Sequence, residues 1–301
     1  MSWLIRQKSE AYRVRDSGDI TAEHIGPLHH GSPMLEWGSV TKTVTARITE
    51  QLSQSGHLDL SAPVSDYLPE AKLPSTVDVR SLVTHTSGLP RVPKGMIASL
   101  AEARDPYAKY TTAHFDSEVT PALLEQHDGT VGSFDYSNLG YAVLTRLLEV
   151  ATGRDWWTLA TDEVFAPLGI TDVSIKPPPD RVPVLRTWAG GTRAQWIDTG
   201  PFIGAGGVHG TFDALEEYTA AIAARSPGVK PFGWMGDAGL WWHNGHNRDH
   251  GTFIGISPDG SRVVTVHTLG YNAGRADRIA AGLETGSRST DDTAAAAGGC
   301  L

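Results

Sequence analysis

The 301-residue chain holds one cysteine, Cys300, beside its last residue. A single cysteine cannot close an internal disulfide, so no oxidising compartment is implied. Its place in the tail gives it no catalytic part. Nowhere do about 18 apolar residues run together, which excludes a membrane-spanning helix. The opening Met1-Ser2-Trp3-Leu4-Ile5-Arg6-Gln7-Lys8 lacks the long apolar stretch and small-residue cleavage site of a secretory signal, and the chain reads as cytoplasmic. Basic residues are in deficit: 25 Lys and Arg face 34 Asp and Glu, a net charge of −9. That balance excludes the basic face a nucleic-acid partner needs, and docking on an anionic membrane.

What is present suits one large globular domain or two interleaved ones, with 40% hydrophobic residues for a core and 33 glycines and 18 prolines for turns. Residues 3–17 hold short mixed runs that suit one or two strands. From Ser39, Val40, Val44, Ile48 and Leu52 recur every four residues and predict a helix stopped by Gly56. Short helices follow at Val77–Thr84 and Pro121–Gln126, a long one over Asn138–Thr152 ended by Gly153, and another over Trp156–Ala166. The texture then changes. Gly239–Asn244, Thr252–Ile256 and Arg262–His267 read as strands, the last two joined by the hairpin signal Pro258-Asp259-Gly260. A helix over Ala273–Leu283 precedes a Ser/Thr/Ala/Gly-rich tail expected to be disordered. The order predicts an α+β sandwich: a sheet domain from residues 1–65 and 186–285, a helical domain inserted at 66–185, and a tail at 286–301. The active site is expected at the seam between the two domains.

Three short patterns carry chemistry. Ser39 and Lys42, three apart on a helix, share a face, and an amine can take the proton that an unassisted serine hydroxyl needs to lose. With 22 serines and 7 lysines, about half a Ser-x-x-Lys arises by chance, so the spacing alone is weak. Its setting after Leu35-Glu36-Trp37-Gly38 puts the serine at a helix mouth, with its N–H placed as an oxyanion donor. Tyr136-x-Asn138 stands before the long helix; a phenol beside an ammonium shuttles protons to a leaving group, and the Asn138 amide is placed to bond Lys42 and substrate. His243-Asn244-Gly245 ends a strand. His-x-Gly occurs four times, from His24, His29, His127 and His243, but only the last sits on a strand before a hairpin. There the strand edge can pair with substrate, and the His246 N–H can complete the oxyanion site. Trp37, Trp241 and Trp242 suit either an aromatic cleft or plain core packing.

The order Ser39-x-x-Lys42, Tyr136-x-Asn138, His243-x-Gly245 resembles the serine β-lactamase-like superfamily, in particular the branch of class C lactamases, D-alanyl carboxypeptidases and family VIII esterases. Leu82-Val83-Thr84-His85-Thr86-Ser87-Gly88-Leu89-Pro90 and Gly206-Gly207 to Thr211-x-Asp213 resemble further segments of that family, and the likeness covers residues 11–285. It implies an antiparallel sheet flanked by helices, Ser39 as acylated nucleophile, Lys42 and Tyr136 as acid and base, and Asn138 as orienter. It implies that His243, in place of the lysine of Lys-Thr-Gly, helps bind a substrate carboxylate or polar group. Two departures stand out: the long N-terminal helix is absent or shortened, and the lysine is a histidine.

The expected function is therefore a cytoplasmic serine hydrolase or acyl transferase acting on a small ester or amide, with Ser39, Lys42 and Tyr136 catalytic. Asn138, His243, Asn244, Gly245 and His246 bind substrate, and no cofactor or metal is needed. Three alternatives remain: a β-lactamase or D-alanyl carboxypeptidase, a metal enzyme using His243, His246, His250 and Asp249, and a non-catalytic ligand-binding member of the fold. Oligomeric state and substrate identity are not encoded in these patterns.

Overall fold

The computed structural model describes residues 7–96, 105–193, 200–236, 239–272 and 274–284. The expected tail and residues 3–6 of the first predicted strand region lie outside these. Strands β1 (Ser9–Asp16) and β2 (Asp19–Ile25) come from the start of the chain, and β8 (Trp241–His246), β9 (His250–Ile256) and β10 (Arg262–Leu269) from its last quarter. Together they form one antiparallel sheet in the order β2-β1-β10-β9-β8. The hairpin signal at Pro258-Asp259-Gly260 joins β9 to β10 as expected, with Gly260 at φ 74° and the Val263–Ile256 pair near its base. β1 buries Ser9, Ala11 and Val14 among half-buried residues, whereas β9 is buried on both faces. Helices α10 (Phe212–Arg225) and α11 (Arg275–Glu284) account for that double burial, each packing against β9 and β10.

Between the chain ends lie α1 (Thr41–Gln54), α2 (Val64–Tyr67), α3 (Val79–Val83), α4 (Thr112–His114), α5 (Leu123–Gln126), α6 (Asn138–Thr152), α7 (Trp156–Ala160), α8 (Ala166–Leu168) and α9 (Ile203–Gly206). The predicted bounds of α6 are the observed ones. Ser137 caps its start, with Oγ accepting the Gly140 N–H at 2.7 Å, and Gly153 ends it in the left-handed region. The predicted helix over Trp156–Ala166 is interrupted instead: Thr161–Phe165 winds as a π turn before α8. Strand pairs too short to announce themselves also form, β3 (Leu35–Glu36) and β4 (Val173–Ser174) flanking β7 (His209–Gly210), and a ribbon of β5 (Leu185–Arg186) and β6 (Thr192–Arg193).

Helix α1 is buried over most of its surface rather than along one apolar stripe. Beyond the predicted stripe of Val44, Ile48 and Leu52, it buries Lys42 and four threonines. Burial of so many hydroxyls requires partners. Thr43 donates to the Val40 carbonyl at 2.8 Å, Thr45 to the Gly204 carbonyl at 2.7 Å, and Thr49 back to Thr45 at 2.9 Å. Gly204 is glycine because α9 crosses here without room for a side chain: a Cβ would stand 2.1 Å from Thr145 Oγ1. Trp37 is fully buried against Phe165 and Tyr218, and Trp242 stacks on Phe253 at 6.0 Å. Trp37 thus follows the packing reading. Among the described residues, no helix is long and apolar enough to cross a membrane.

Candidate active site

Chain direction reverses just before α1. After β3, Gly38 adopts φ 52°, a conformation costly for other residues, and Gly38–Val40 winds one 3₁₀ turn into the helix. This turn presses against the end of β8. A Cβ on Gly38 would lie 3.2 Å from the His246 nitrogen, and one on Gly245 would lie 2.1 Å from the Trp37 carbonyl oxygen and 3.1 Å from the Ser39 nitrogen. The backbones of Ser39 and His246, both expected oxyanion donors, are thus brought side by side.

Lys42 reaches back one turn, its Nζ donating to Ser39 Oγ at 3.1 Å and to the Ala205 carbonyl at 2.6 Å. The lysine is wholly buried. Its amine lies 5.0 Å from the centre of the Tyr136 ring and 5.6 Å from that of Tyr141. Tyr141 is spoken for, donating to the Val83 carbonyl at 2.9 Å, and burial holds its phenol far above the ordinary range.

Tyr136 is held by the Leu82–Pro90 segment, whose part in the site the sequence motifs did not specify. His85, itself at φ 58°, accepts the Asp135 N–H on its carbonyl at 2.8 Å and the Ser137 N–H on Nδ1 at 3.1 Å. Both neighbours of Tyr136 are thereby tied to one residue, and the His85 ring lies 4.5 Å from the phenol ring. Because Nδ1 accepts, the neutral His85 ring carries its proton on Nε2. Burial and the charge of Lys42 push its pKa well down. The amide nitrogens of Asn138 and Leu139 donate to the Arg91 carbonyl. The expected bond from Lys42 to the Asn138 side-chain oxygen is not formed: Oδ1 is buried without a partner, and Ala205 supplies a carbonyl to the amine.

On β8, side chains alternate. His243 and Gly245 are buried on the side of Ser39, the His243 ring 6.3 Å from that of Tyr136. Asn244 and His246, expected to bind substrate, turn their side chains the other way. Asn244 Nδ2 and His246 Nε2 donate to the two oxygens of Asp277 on α11, at 2.9 and 2.8 Å. Only the backbone of these two residues faces the site. The histidines considered as metal ligands diverge as well, with His250 Nε2 3.9 Å from Glu36 Oε1 on yet another side. Among the described residues, no three of His, Cys, Asp and Glu cluster as a metal site.

Behind the Ser39 turn runs a directed chain of hydrogen bonds. Ser9 Oγ donates to His29 Nδ1 at 2.8 Å, His29 Nε2 to His267 Nδ1 at 3.0 Å, and His267 Nε2 to the Glu36 carbonyl at 3.3 Å. The buried Glu36 carboxyl takes Asn247 Nδ2. Burial drives His29 to about 3 and His250 to about 4, and burial with the charge of Lys42 drives His243 to about 3. The native state therefore refuses protons that the unfolded chain accepts below its imidazole pKa of about 6.5. Stability is full above that pH and falls as pH drops toward 3–4, by about 1.4 kcal/mol per pH unit for each imidazole. Burial raises the Glu36 carboxyl above its ordinary value, so the native state keeps that proton to higher pH than the unfolded chain and this group works in the opposite sense as pH falls through that range. Urea unfolding at pH 7.5 and 5.5 checks this, and equal midpoints would contradict the neutral burial of these rings.

An antiparallel sheet flanked by helices, with the Ser39 turn and the buried Lys42 set against its β8 edge, is the architecture of the β-lactamase-like fold. Residues 11–286 match the family model described as Beta-lactamase, and the chain belongs to that family. It is 30% identical over 174 residues to penicillin-binding protein 4 of Amycolatopsis lactamdurans, covering 53% of this chain and 42% of that one. It is also 30% identical over 178 residues to the D-alanyl-D-alanine-carboxypeptidase/endopeptidase AmpH of Escherichia coli K12, covering 58% and 44%. These matches span less than half the length of either relative. A D-stereospecific amidohydrolase from Streptomyces sp. shares the fold with a TM-score of 0.74 at 20% identity, over 95% of this chain and 96% of that one.

Proposed function

We propose that the protein forms an acyl-enzyme at Ser39 from a small ester or amide and passes the acyl group to water, an alcohol or an amine. The observation that carries this reading is the buried Lys42 amine at 3.1 Å from Ser39 Oγ with the Tyr136 ring 5.0 Å away. Deprotonated Lys42 takes the hydroxyl proton as Oγ attacks the acyl carbon. The backbone N–H groups of Ser39 and His246 receive the developing oxyanion. The proton passes through Tyr136 to the leaving oxygen or nitrogen as its bond to the acyl carbon breaks. The acceptor then attacks the ester, its proton returning through the same pair, and Ser39 is released.

The test is a panel of p-nitrophenyl acyl esters with one chromogenic β-lactam, followed by absorbance and intact mass. The reading predicts an acyl adduct mapping to the peptide that carries Ser39 and ester turnover exceeding lactam turnover. Lactam turnover above every ester moves the assignment to a lactamase. A fully unmodified protein with no turnover defeats the acyl-enzyme reading.

A further inference from the structure

His243 stands where the family resemblance places a residue that helps bind a carboxylate. Its hydrogen bonding points elsewhere. The ring is 1% exposed, and Nδ1 lies 2.7 Å from the carbonyl oxygen of Asn244. A carbonyl can only accept, so Nδ1 carries the proton. In a neutral imidazole Nε2 is then a bare lone pair, and in this structure Nε2 is buried with no partner. The bond is braced from behind, since Asn244 is itself anchored through Nδ2 to Asp277. The ring lies 6.3 Å from that of Tyr136, and its burial, with the nearby Lys42 and His246, opposes a positive charge on it. An unpaired buried acceptor is costly to leave unmade, and a ligand group supplying a proton there recovers that cost.

We infer that His243 Nε2 acts as a hydrogen-bond acceptor toward substrate, so that the cleft selects a neutral donor beside the scissile bond, a carboxamide or a hydroxyl, over a carboxylate. This rests on the acyl-enzyme reading and names the substrate class for it. A carboxylate at this position sets two acceptors against each other. Binding it requires either breaking the bond to Asn244 to move the ring proton, or protonating a buried ring beside Lys42. Both work against the carboxylate.

Two measurements test this. Long-range ¹H–¹⁵N spectra of the uniformly labelled protein, with His243→Gln for assignment, are expected to show Nδ1 protonated and Nε2 bare at pH 7.5 and at pH 6. A proton on Nε2 in the ligand-free protein overturns the inference, whatever the enzyme turns over. The second compares O-phenylacetyl-lactamide with O-phenylacetyl-lactate, which differ only in carboxamide against carboxylate. The amide partner is expected to have at least tenfold higher kcat/KM. The ratio collapses toward one in His243→Gln, whose side chain both donates and accepts, and inverts in His243→Lys. A wild-type ratio at or below one, or a ratio unmoved by either variant, overturns the inference. Failure of both esters to acylate Ser39 defeats the acyl-enzyme reading instead, and the spectra still decide the state of His243.

Discussion

Ser39→Ala and Lys42→Met are each expected to lower kcat/KM for the best ester by about 10⁴-fold or more, and the double variant by no more than the worse single one. The reason is that the two side chains act as one device. The Oγ–Nζ hydrogen bond of 3.1 Å lets the amine take the proton only if there is an oxygen to give it, and the oxygen attacks only if the amine takes it. Groups coupled in this way are grossly non-additive on removal, and what survives is the residual rate from the oxyanion donors and binding. Lys42→Arg is not expected to rescue, because a guanidinium keeps its proton and cannot serve as base. Single-turnover acylation with an activated ester separates this step from deacylation. Multiplicative losses in the double variant, or a Lys42→Met enzyme within tenfold of wild type, would show that the proton leaves Ser39 by another route. Tyr136, whose ring centre lies 5.0 Å from the amine, is the first place to look.

The parts of this site that local pattern can express were legible in the chain. Ser39 and Lys42 share a helix face because a helix repeats every 3.6 residues. Asn138–Thr152 is bracketed by a capping serine and a left-handed glycine, both local signals. The strand predicted only as far as Asn244 runs on to His246, and its period of two turns the Asn244 and His246 side chains away from that of His243, against the expectation that they bind substrate. What the sequence could not express is the partner across the fold. That Ala205 offers its carbonyl to Lys42, that His85 ties down both neighbours of Tyr136, and that Asp277 takes the outward face of β8 are contacts at separations of 163, about 50 and about 31–33 residues. Two-residue strands such as β3 and β7 carry no periodicity at all; their pairing, Leu35 with Gly210 and Glu36 with His209, joins segments far apart in the chain. The burial of most of α1 was hidden for a related reason, since threonines that look polar in sequence become core residues once their hydroxyls find backbone partners.

Gly245→Ala is expected to reduce kcat by about 10²–10³-fold while destabilising the fold by about 1–3 kcal/mol, and Gly245→Val to do more of both. The glycine is required by approach rather than by backbone angle. A Cβ at this position would meet the Trp37 carbonyl oxygen at 2.1 Å and the Ser39 nitrogen at 3.1 Å, and neither atom belongs to a flexible side chain. The nucleophile turn has little freedom to yield. Its Trp37 N–H donates to the Val208 carbonyl at 2.9 Å, and Glu36 ahead of it is gripped by Asn247, Thr252 and His267. Strand β8 must therefore move out, carrying the His246 nitrogen away from Ser39. Loss of one of two oxyanion donors is a loss of transition-state binding, so kcat falls while KM is little changed. The measurement is steady-state kinetics beside urea unfolding, with each rate normalised to the fraction of protein that forms the Ser39 adduct. If Gly245→Ala keeps the wild-type kcat per acylated site and loses only stability, β8 supports the nucleophile turn without donating to the oxyanion, and the second donor must be sought outside this strand.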